Sequence, residues 1–345
     1  MIKWLTIPES TKRNAYNQIA EKTGMSAFGA EKDWWVVQTM SALFETSIKD
    51  HLVFKGGTSL SKAWKLIERF SEDIDLAISR EFFGFNGLLT PNQGKTLRKT
   101  AGKYIDTTLL QELEYRFAVK GLMEAGIKLE LEVGGDSDRD RVIYLHYPNV
   151  IDPPGYLLPP IKIEIGCRSL MEPCTIQTFA SLLDEIYPDS EFAQDPVSIP
   201  TVNPERTFLE KVFLLHEEFQ RPTEKMRVER QSRHLYDIVK LANAGYMDKA
   251  IQNPELYLTI VEHRQKFNKV GGVDYNLHAP KSINPIPPDN ILNAWKADYI
   301  TMVEQMIYEQ KPSSFEQILE EITLIKNKIN DLPWELKFDF PPPNL

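Results

Sequence analysis

The sequence contains little cysteine, no excess of positive charge and no long apolar run. Its two cysteines, Cys167 and Cys174, have no metal-ligand spacing and are too few for a disulfide framework, which fits a reducing compartment. No apolar stretch approaches the roughly 18 residues that a membrane span requires, and residues 1–16 lack the apolar core of a signal peptide. We therefore expect a cytoplasmic protein that has no membrane partner.

The formal net charge of −9 argues against a protein that coats nucleic acid non-specifically, because such binding depends on neutralising phosphates with cations. The charge still leaves room for a local basic groove. The chain has 345 residues, of which 42% are hydrophobic, so it can bury a sizeable core. This length predicts two or three structural units.

The spacing of apolar residues predicts helices at both ends of the chain and strands between them. Residues 1–50 have the pattern of a helical segment. Short apolar or alternating runs predict five strands, which cover residues 51–54, 73–78, 127–133, 142–147 and 161–165. Turn-forming residues 134–138 join the third and fourth strands into a hairpin. Beyond about residue 175 the pattern is mostly helical.

Gly56 and Gly57 form a tight turn between the first predicted strand and a helix. Glycine lets the backbone approach a phosphate closely, and the start of a helix offers free N–H groups and a positive dipole end. Thr58 and Ser59 add hydroxyl donors at the same place. The segment therefore has the chemistry of a triphosphate-binding loop. A plain structural turn is the alternative.

Asp73 and Asp75 lie two residues apart on a predicted strand, so both point to the face opposite Ile74. Two neighbouring carboxylates repel each other unless a cation lies between them, and Mg²⁺ prefers such oxygen ligands. Mn²⁺ is the alternative cation. In a two-metal site the cations activate an attacking oxygen and stabilise the leaving one. The alternative is the solvated acidic face of an edge strand.

Glu164 is the candidate for a third metal ligand. It faces away from the isoleucines of the strand over residues 161–165. If that strand lies beside the strand of Asp73 and Asp75, the three carboxylates form one cluster. The alternative is an exposed glutamate on a half-buried strand.

Two consecutive motifs resemble those of a known enzyme family. KGGTSLSK at residues 55–62, followed by RFSEDIDL at residues 69–76, is similar to the first motif of the AbiEii/AbiGii nucleotidyltransferases, which belong to the DNA polymerase β type. That family includes toxins of bacterial toxin–antitoxin and abortive-infection systems. The resemblance implies an NTP substrate, a divalent cation and a cognate antitoxin. It assigns Gly56, Gly57, Thr58 and Ser59 to nucleotide binding.

Two residues of the helical half match further family motifs. Lys211 lies in an otherwise apolar helix over residues 207–216, and a buried lysine requires a counter-charge. A nucleotide phosphate or an aspartate is the candidate partner, and a lysine that reaches the surface is the alternative. The resemblance implies that Lys211 contacts the nucleotide phosphates. Asp237, which matches the family's last motif, is predicted to orient Lys211 or assist the attacking group. An ordinary ion pair between Arg233 and Asp237 is the alternative.

The acceptor of the nucleotide is less clearly indicated. Residues 221–233 contain five basic side chains and are a candidate surface for RNA or triphosphate, with a solvated loop as the alternative. The resemblance points to tRNA 3′ ends for some family members. A protein, a small molecule, or a non-catalytic role in binding an antitoxin are the alternatives.

The predicted architecture is α+β. A polymerase β-like nucleotidyltransferase core, made of a small mixed sheet with flanking helices, is expected over residues 51–170. An N-terminal helical segment over residues 1–50 precedes it. A mostly helical C-terminal domain over residues 171–345 is expected to close over the nucleotide.

Overall fold

The computed structural model of the chain describes residues 2–87, 89–132, 141–153, 159–167, 173–336 and 338–343. It divides into two compact units. The first contains Met1–Lys65 and Arg69–Val202, and the second contains Leu66–Glu68 and Asn203–Leu345. The predicted boundaries near residues 50 and 170 differ from those of these units, and as functional domains they stay a prediction.

A seven-stranded mixed sheet lies in the first unit. Its strands are β1 (Leu52–Lys55), β2 (Asp73–Ile78), β3 (Lys128–Leu131), β4 (Arg141–His146), β5 (Ile161–Gly166), β6 (Cys174–Phe179) and β7 (Val197–Val202). Their order across the sheet is β3-β4-β5-β2-β1-β7-β6. Strand β2 is therefore the central strand, parallel to β5 and antiparallel to β1.

The five predicted strands are all present, and β3 and β4 pair as an antiparallel hairpin. The turn predicted at residues 134–138 lies outside the described residues. Strands β6 and β7 were not predicted, and they extend the sheet beyond residue 170. Proline at position 200 interrupts the alternation of β7, and β6 is mostly exposed, so neither has a clear half-buried pattern.

Helices of the first unit cover one face of the sheet with apolar side chains. They are α1 (Glu9–Thr23), α2 (Ala27–Leu43), α3 (Gly56–Thr58), α4 (Pro91–Tyr104), α5 (Leu110–Val119) and α6 (Leu182–Ile186). Two π-helical segments, Ser59–Ala63 and Ile105–Leu109, continue α3 and α4. Ile74, Leu76, Ile163 and Ile165 join the aromatic side chains of α2 in one core. The alternate residues of β2 and β5 are polar, so they lie on the other face.

The longer elements described in the second unit are all helices. It contains α7 (Pro204–Glu218), α8 (Arg233–Asn243), α9 (Tyr246–Ile251), α10 (Pro254–Phe267), α11 (Leu292–Gln305) and α12 (Phe315–Asn330). Helix α7 is buried on nearly all sides and packs against α8, α9 and α10. Short 3-10 turns complete the two units: Lys3–Thr6, Lys49–His51, Arg80–Phe83, Thr223–Lys225, Tyr275–His278, Pro280–Ser282 and Asp289–Ile291. No described helix is long and apolar enough to cross a membrane.

Candidate active site

Gly56 is the point at which the turn after β1 meets the acidic strand β2. Its φ of +79° lies in the left-handed region, which favours glycine because a Cβ is crowded there. A Cβ at this position would lie 1.9 Å from Asp75 Oδ2 and 2.7 Å from Asp75 Cγ. The missing side chain therefore admits the Asp75 carboxylate against the backbone of the turn.

Gly57 is required for a second contact. A Cβ here would lie 2.7 Å from Arg69 Nη2 and 2.8 Å from Ser71 Oγ. Arg69 is buried, and its guanidinium also donates to Phe70 O at 3.2 Å. The two glycines thus let the segment that leads into β2 pack directly on the turn. This structural role is compatible with phosphate binding by the same backbone.

Thr58 and Ser59 are buried, and their hydroxyl groups have acceptors inside the fold. Thr58 Oγ1 donates to Asp73 O and lies 3.0 Å from Ser71 Oγ, while Ser59 Oγ donates to Gly56 O at 2.8 Å. These bonds stabilise the turn and join it to the first residue of β2. Direct contact of the two hydroxyls with a phosphate stays a prediction.

Asp73 and Asp75 are half-buried on the polar face of the central strand. The register of β2 with its parallel neighbour β5 pairs Asp73 with Lys162 and Asp75 with Glu164. On the other side, Asp75 pairs with Lys55 of β1. Paired residues of neighbouring strands point to the same face. Since β2 has neighbours on both sides, these carboxylates do not belong to an edge strand, and that alternative is wrong.

Lys162 is a cation in the acidic cluster that the sequence analysis did not single out. Its ammonium pairs with the Glu164 carboxylate on the same strand. Burial alone would lower the pKa of Lys162, but the hydrogen bond and charge of Glu164, together with the charge of Asp73, raise its pKa above the ordinary value. Lys162 is therefore protonated at neutral pH and offsets part of the repulsion among the carboxylates.

Hard oxygen ligands for a divalent cation are present on this face. Asp73 and Asp75 supply carboxylate oxygens of the kind that such an ion prefers, and the Asp75 carboxylate lies against the backbone of Gly56. Among the described residues, no group of three His, Cys, Asp or Glu side chains has the arrangement of a metal site. Glu164 as a third ligand therefore stays a prediction, and it would have to exchange its Lys162 contact for the ion.

Lys211 and Asp237 form a buried ion pair within the second unit. Lys211 Nζ lies 2.9 Å from Asp237 Oδ2, and the two side chains are 9% and 0% exposed. Lys211 on α7 therefore does not reach the surface, and its counter-charge is the aspartate on α8. His234, one turn before Asp237 on α8, places Nδ1 3.4 Å from Lys211 Nζ. The three-residue spacing of His234 and Asp237 was the signal in the sequence that could have indicated this.

The start of α8 is held by an aspartate from α11. Asp298 accepts hydrogen bonds from Arg230 N at 2.6 Å, from Ser232 N at 2.9 Å and from Ser232 Oγ at 2.6 Å. Arg230 has a φ of 60°, a left-handed conformation that is uncommon for residues other than glycine. These bonds fix the turn from which the helix of His234 and Asp237 begins.

The basic segment at residues 221–233 is partly neutralised. Arg221 Nη1 pairs with Glu218 at 2.8 Å and Arg227 Nη2 pairs with the same carboxylate at 2.6 Å. Glu218 is buried at the end of α7, so these two cations have a structural partner. The solvated-loop interpretation gains weight, and an RNA surface here stays a prediction.

A known protein family matches most of the chain. The model of a protein family described as nucleotidyl transferase AbiEii toxin, type IV TA system, matches residues 38–321. A search of curated proteins finds no significant match. The family match includes the glycine turn, the acidic strand and the Lys211–Asp237 pair.

A solved structure of a nucleotidyltransferase toxin resembles the chain in fold. MenT4, a nucleotidyltransferase toxin from Mycobacterium tuberculosis H37Rv, is 16% identical, with 94% of this chain and 90% of that one covered at a TM-score of 0.50. JHP933 from Helicobacter pylori is 15% identical, with 85% and 89% covered at a TM-score of 0.39. At these identities the likeness concerns the fold alone. The family match covers most of the sequence, and the chain therefore belongs to the AbiEii nucleotidyl transferase toxin family and is a nucleotidyltransferase.

Proposed function

We propose that this nucleotidyltransferase uses Mg²⁺, with Mn²⁺ as the alternative, to transfer a nucleotide from an NTP to a hydroxyl group at a tRNA 3′ end. The observation that carries the proposal is the contact between Gly56 and Asp75 on the central strand. It places the Asp75 carboxylate directly against the backbone of the glycine turn, and Asp73 lies two residues away on the same face of the strand. Phosphate binding and metal binding are thereby supported at one place.

In the proposed reaction the acceptor oxygen attacks the α-phosphorus of the NTP. A new P–O bond forms, the bond from the α-phosphorus to the bridging oxygen breaks, pyrophosphate leaves, and the hydroxyl proton passes to solvent. A divalent cation, when bound, would supply Lewis-acid stabilisation of the charge that develops on these oxygens. Asp73 and Asp75 would hold it, with Glu164 as the third candidate ligand.

The other residues contribute positioning and charge, as phosphoryl-type transfers require. The backbone of Gly56 and Gly57 is proposed to hold the phosphates, with Thr58 and Ser59 stabilising that turn. Lys211 is proposed to neutralise phosphate charge, as the family resemblance implies. Asp237 fixes the position of the Lys211 ammonium through the 2.9 Å ion pair.

The biological role that the family supports is that of a toxin. A cognate antitoxin is accordingly proposed as a partner, and the cytoplasmic location stays a prediction. A protein or a small molecule remains the alternative acceptor. Only the chemistry of the acceptor separates these cases, since the proposed nucleotide and metal ligands are the same in each.

A labelling experiment tests the proposal. The protein is incubated with each of the four labelled NTPs, total RNA and Mg²⁺, and the labelled species are sequenced. We expect label at tRNA 3′ ends, dependence on a divalent cation, and loss of labelling in Asp73→Asn and Asp75→Asn. Asp189→Asn, which changes an exposed aspartate of the same unit, is the matched control. Label on protein alone would refute the tRNA acceptor, and full activity of Asp75→Asn would refute the site.

A further inference from the structure

Lys32 is a buried lysine on α2 that reaches the starts of both carboxylate-bearing strands. Its side chain is 0% exposed and that of Glu72 is 3% exposed. Lys32 Nζ donates to Glu72 Oε2 at 3.1 Å and to Pro160 O at 3.0 Å. Glu72 directly precedes Asp73 of β2, and Pro160 directly precedes Ile161 of β5. One ammonium group thus ties together the residues that directly precede two parallel strands.

The pairing of these two strands decides which charges share the polar face. Asp73 lies opposite Lys162, and Asp75 lies opposite Glu164. A slip of one residue would turn one strand's side chains to the other face, and a slip of two would separate Asp75 from Glu164. Nothing in the apolar repeats of β2 and β5 excludes the two-residue slip. Such a slip would shift one strand start by about 6–7 Å relative to the other and would break the contact of Lys32 with Glu72 or with Pro160.

Asp33, the next residue of α2, contacts the helical segment that follows the glycine turn. Asp33 pairs with Lys62 at 2.8 Å and accepts a hydrogen bond from Leu182 N at 2.7 Å. Lys62 belongs to the π-helical segment Ser59–Ala63, which follows the glycine turn. Two consecutive charged residues of one helix therefore fix the acidic strands and the helix that follows the turn.

A buried ion pair is weak grounds for stability, because apolar side chains of similar volume often replace one at no cost. A buried ion pair can instead specify one arrangement of the chain over others. We propose that Lys32 and Glu72 are positioning residues of the nucleotidyltransferase site, which fix the register of β2 against β5 and so the spacing of the metal-binding carboxylates. This inference rests on the proposed roles of Asp73 and Asp75.

The double variant Lys32→Met/Glu72→Met tests this role, because it removes both charges and leaves neither unpaired. We expect its melting temperature to stay close to that of the wild type. We expect kcat to fall about 10- to 100-fold, as is typical when residues that orient metal ligands are lost. The Mg²⁺ concentration for half-maximal rate should rise as well. A residue that only stabilised the fold would change the melting temperature and leave the Mg²⁺ dependence as it was.

Two companion variants complete the test. Glu72→Gln retains an acceptor oxygen for Lys32 at the same position and should give a smaller loss of kcat, with the same direction of change in Mg²⁺ dependence. Lys3→Met/Glu191→Met removes an exposed ion pair of the same unit and should leave both readouts at the wild-type level.

The outcomes separate the positioning role from the proposed function. If the folded double variant has wild-type kcat and Mg²⁺ dependence, the positioning role is wrong. An inactive Asp75→Asn would in that case still support the proposed site. If the double variant does not fold, wild-type kinetics of Glu72→Gln would overturn the positioning role. An active Asp75→Asn would remove the proposed function itself.

Discussion

Replacing Gly56 by alanine should disable the enzyme and should cost more stability than its backbone strain alone. The added Cβ would lie 1.9 Å from Asp75 Oδ2, whereas non-bonded atoms at optimal separation are about 3.5 Å apart or more. The Asp75 carboxylate must therefore move by more than about 1 Å. The Asp75 carboxylate can rotate away, whereas Asp75 Cβ, which would lie 2.9 Å from the added atom, can move only with the central strand and its two paired neighbours.

The magnitudes follow from two separate causes. A non-glycine residue at the φ of +79° of Gly56 costs about 1–2 kcal/mol of the free energy of unfolding. A displacement of about 1 Å in a catalytic group costs roughly 10²-fold in rate. The activity should consequently fall far more than the stability would suggest.

Gly84→Ala provides the matched control within the same unit. Gly84 has a φ of +78°, and a Cβ there would meet no described atom within 4 Å. Its backbone strain should equal that of Gly56→Ala, but the contact with Asp75 is missing. We expect the two variants to lose similar stability from strain and only Gly56→Ala to lose activity.

A double-mutant cycle with Asp75→Ala isolates the contact. Urea unfolding and NTP-transfer rates are measured for Gly56→Ala in both backgrounds. In the Asp75→Ala background most of the clashing atoms are absent, so Gly56→Ala should cost less stability there than in the wild type. Equal rates for Gly56→Ala and Gly84→Ala would refute the claim that Gly56 admits the Asp75 carboxylate.

Three further outcomes are expected. Lys211→Met should lose activity and, because it removes a charged partner of the buried Asp237 carboxylate, about 3–5 kcal/mol of stability. The apolar pair Lys211→Met/Asp237→Leu should regain stability in a urea titration but not activity. Regained activity would contradict the charge role. Burial, and to a smaller extent the charge of His278, lowers the pKa of His216 from 6.5 to about 3. As the pH falls, the unfolded state therefore binds the proton before the folded state does. The free energy of unfolding should fall between about pH 6.5 and pH 3, by at most about 1.4 kcal/mol per pH unit. Urea titrations of the wild type and His216→Gln, near neutral pH and at about pH 5, check this. If the free energy of unfolding changes with pH as much in the variant as in the wild type, the prediction is wrong. Growth arrest on expression should be relieved by Asp75→Ala, and equal toxicity of that variant would refute a catalytic toxin.

The sequence predicted the acidic strand well because its signal is local. Asp73 and Asp75 alternate with Ile74 and Leu76, and a period of two assigns both the strand and its faces. The glycine turn is equally local. The five strands nearest these motifs were recovered for the same reason.

Local sequence patterns do not reveal which residues lie opposite Asp73 and Asp75 in the sheet. Lys162 joins the acidic face only because β5 lies parallel to β2 in one particular register, and no short window of sequence contains that register. Residues 31–33 form a run of three charges that resembles a solvated helix face. All three are buried, because Lys32 and Asp33 find ionic partners 29 or more residues away. Such contacts are products of tertiary structure.

The structural and functional interpretations of the glycine pair describe the same geometry. Gly56 lacks a side chain where the Asp75 carboxylate approaches, and Gly57 lacks one where Arg69 approaches. A turn with a purely structural role would need space for the chain that leads into β2, and the two glycines provide that space. The same room brings the backbone of the turn next to the Asp75 carboxylate on a strand fixed on both sides. Phosphate and cation binding both need such rigidity, so the residues that pack the turn also preorganise the proposed site.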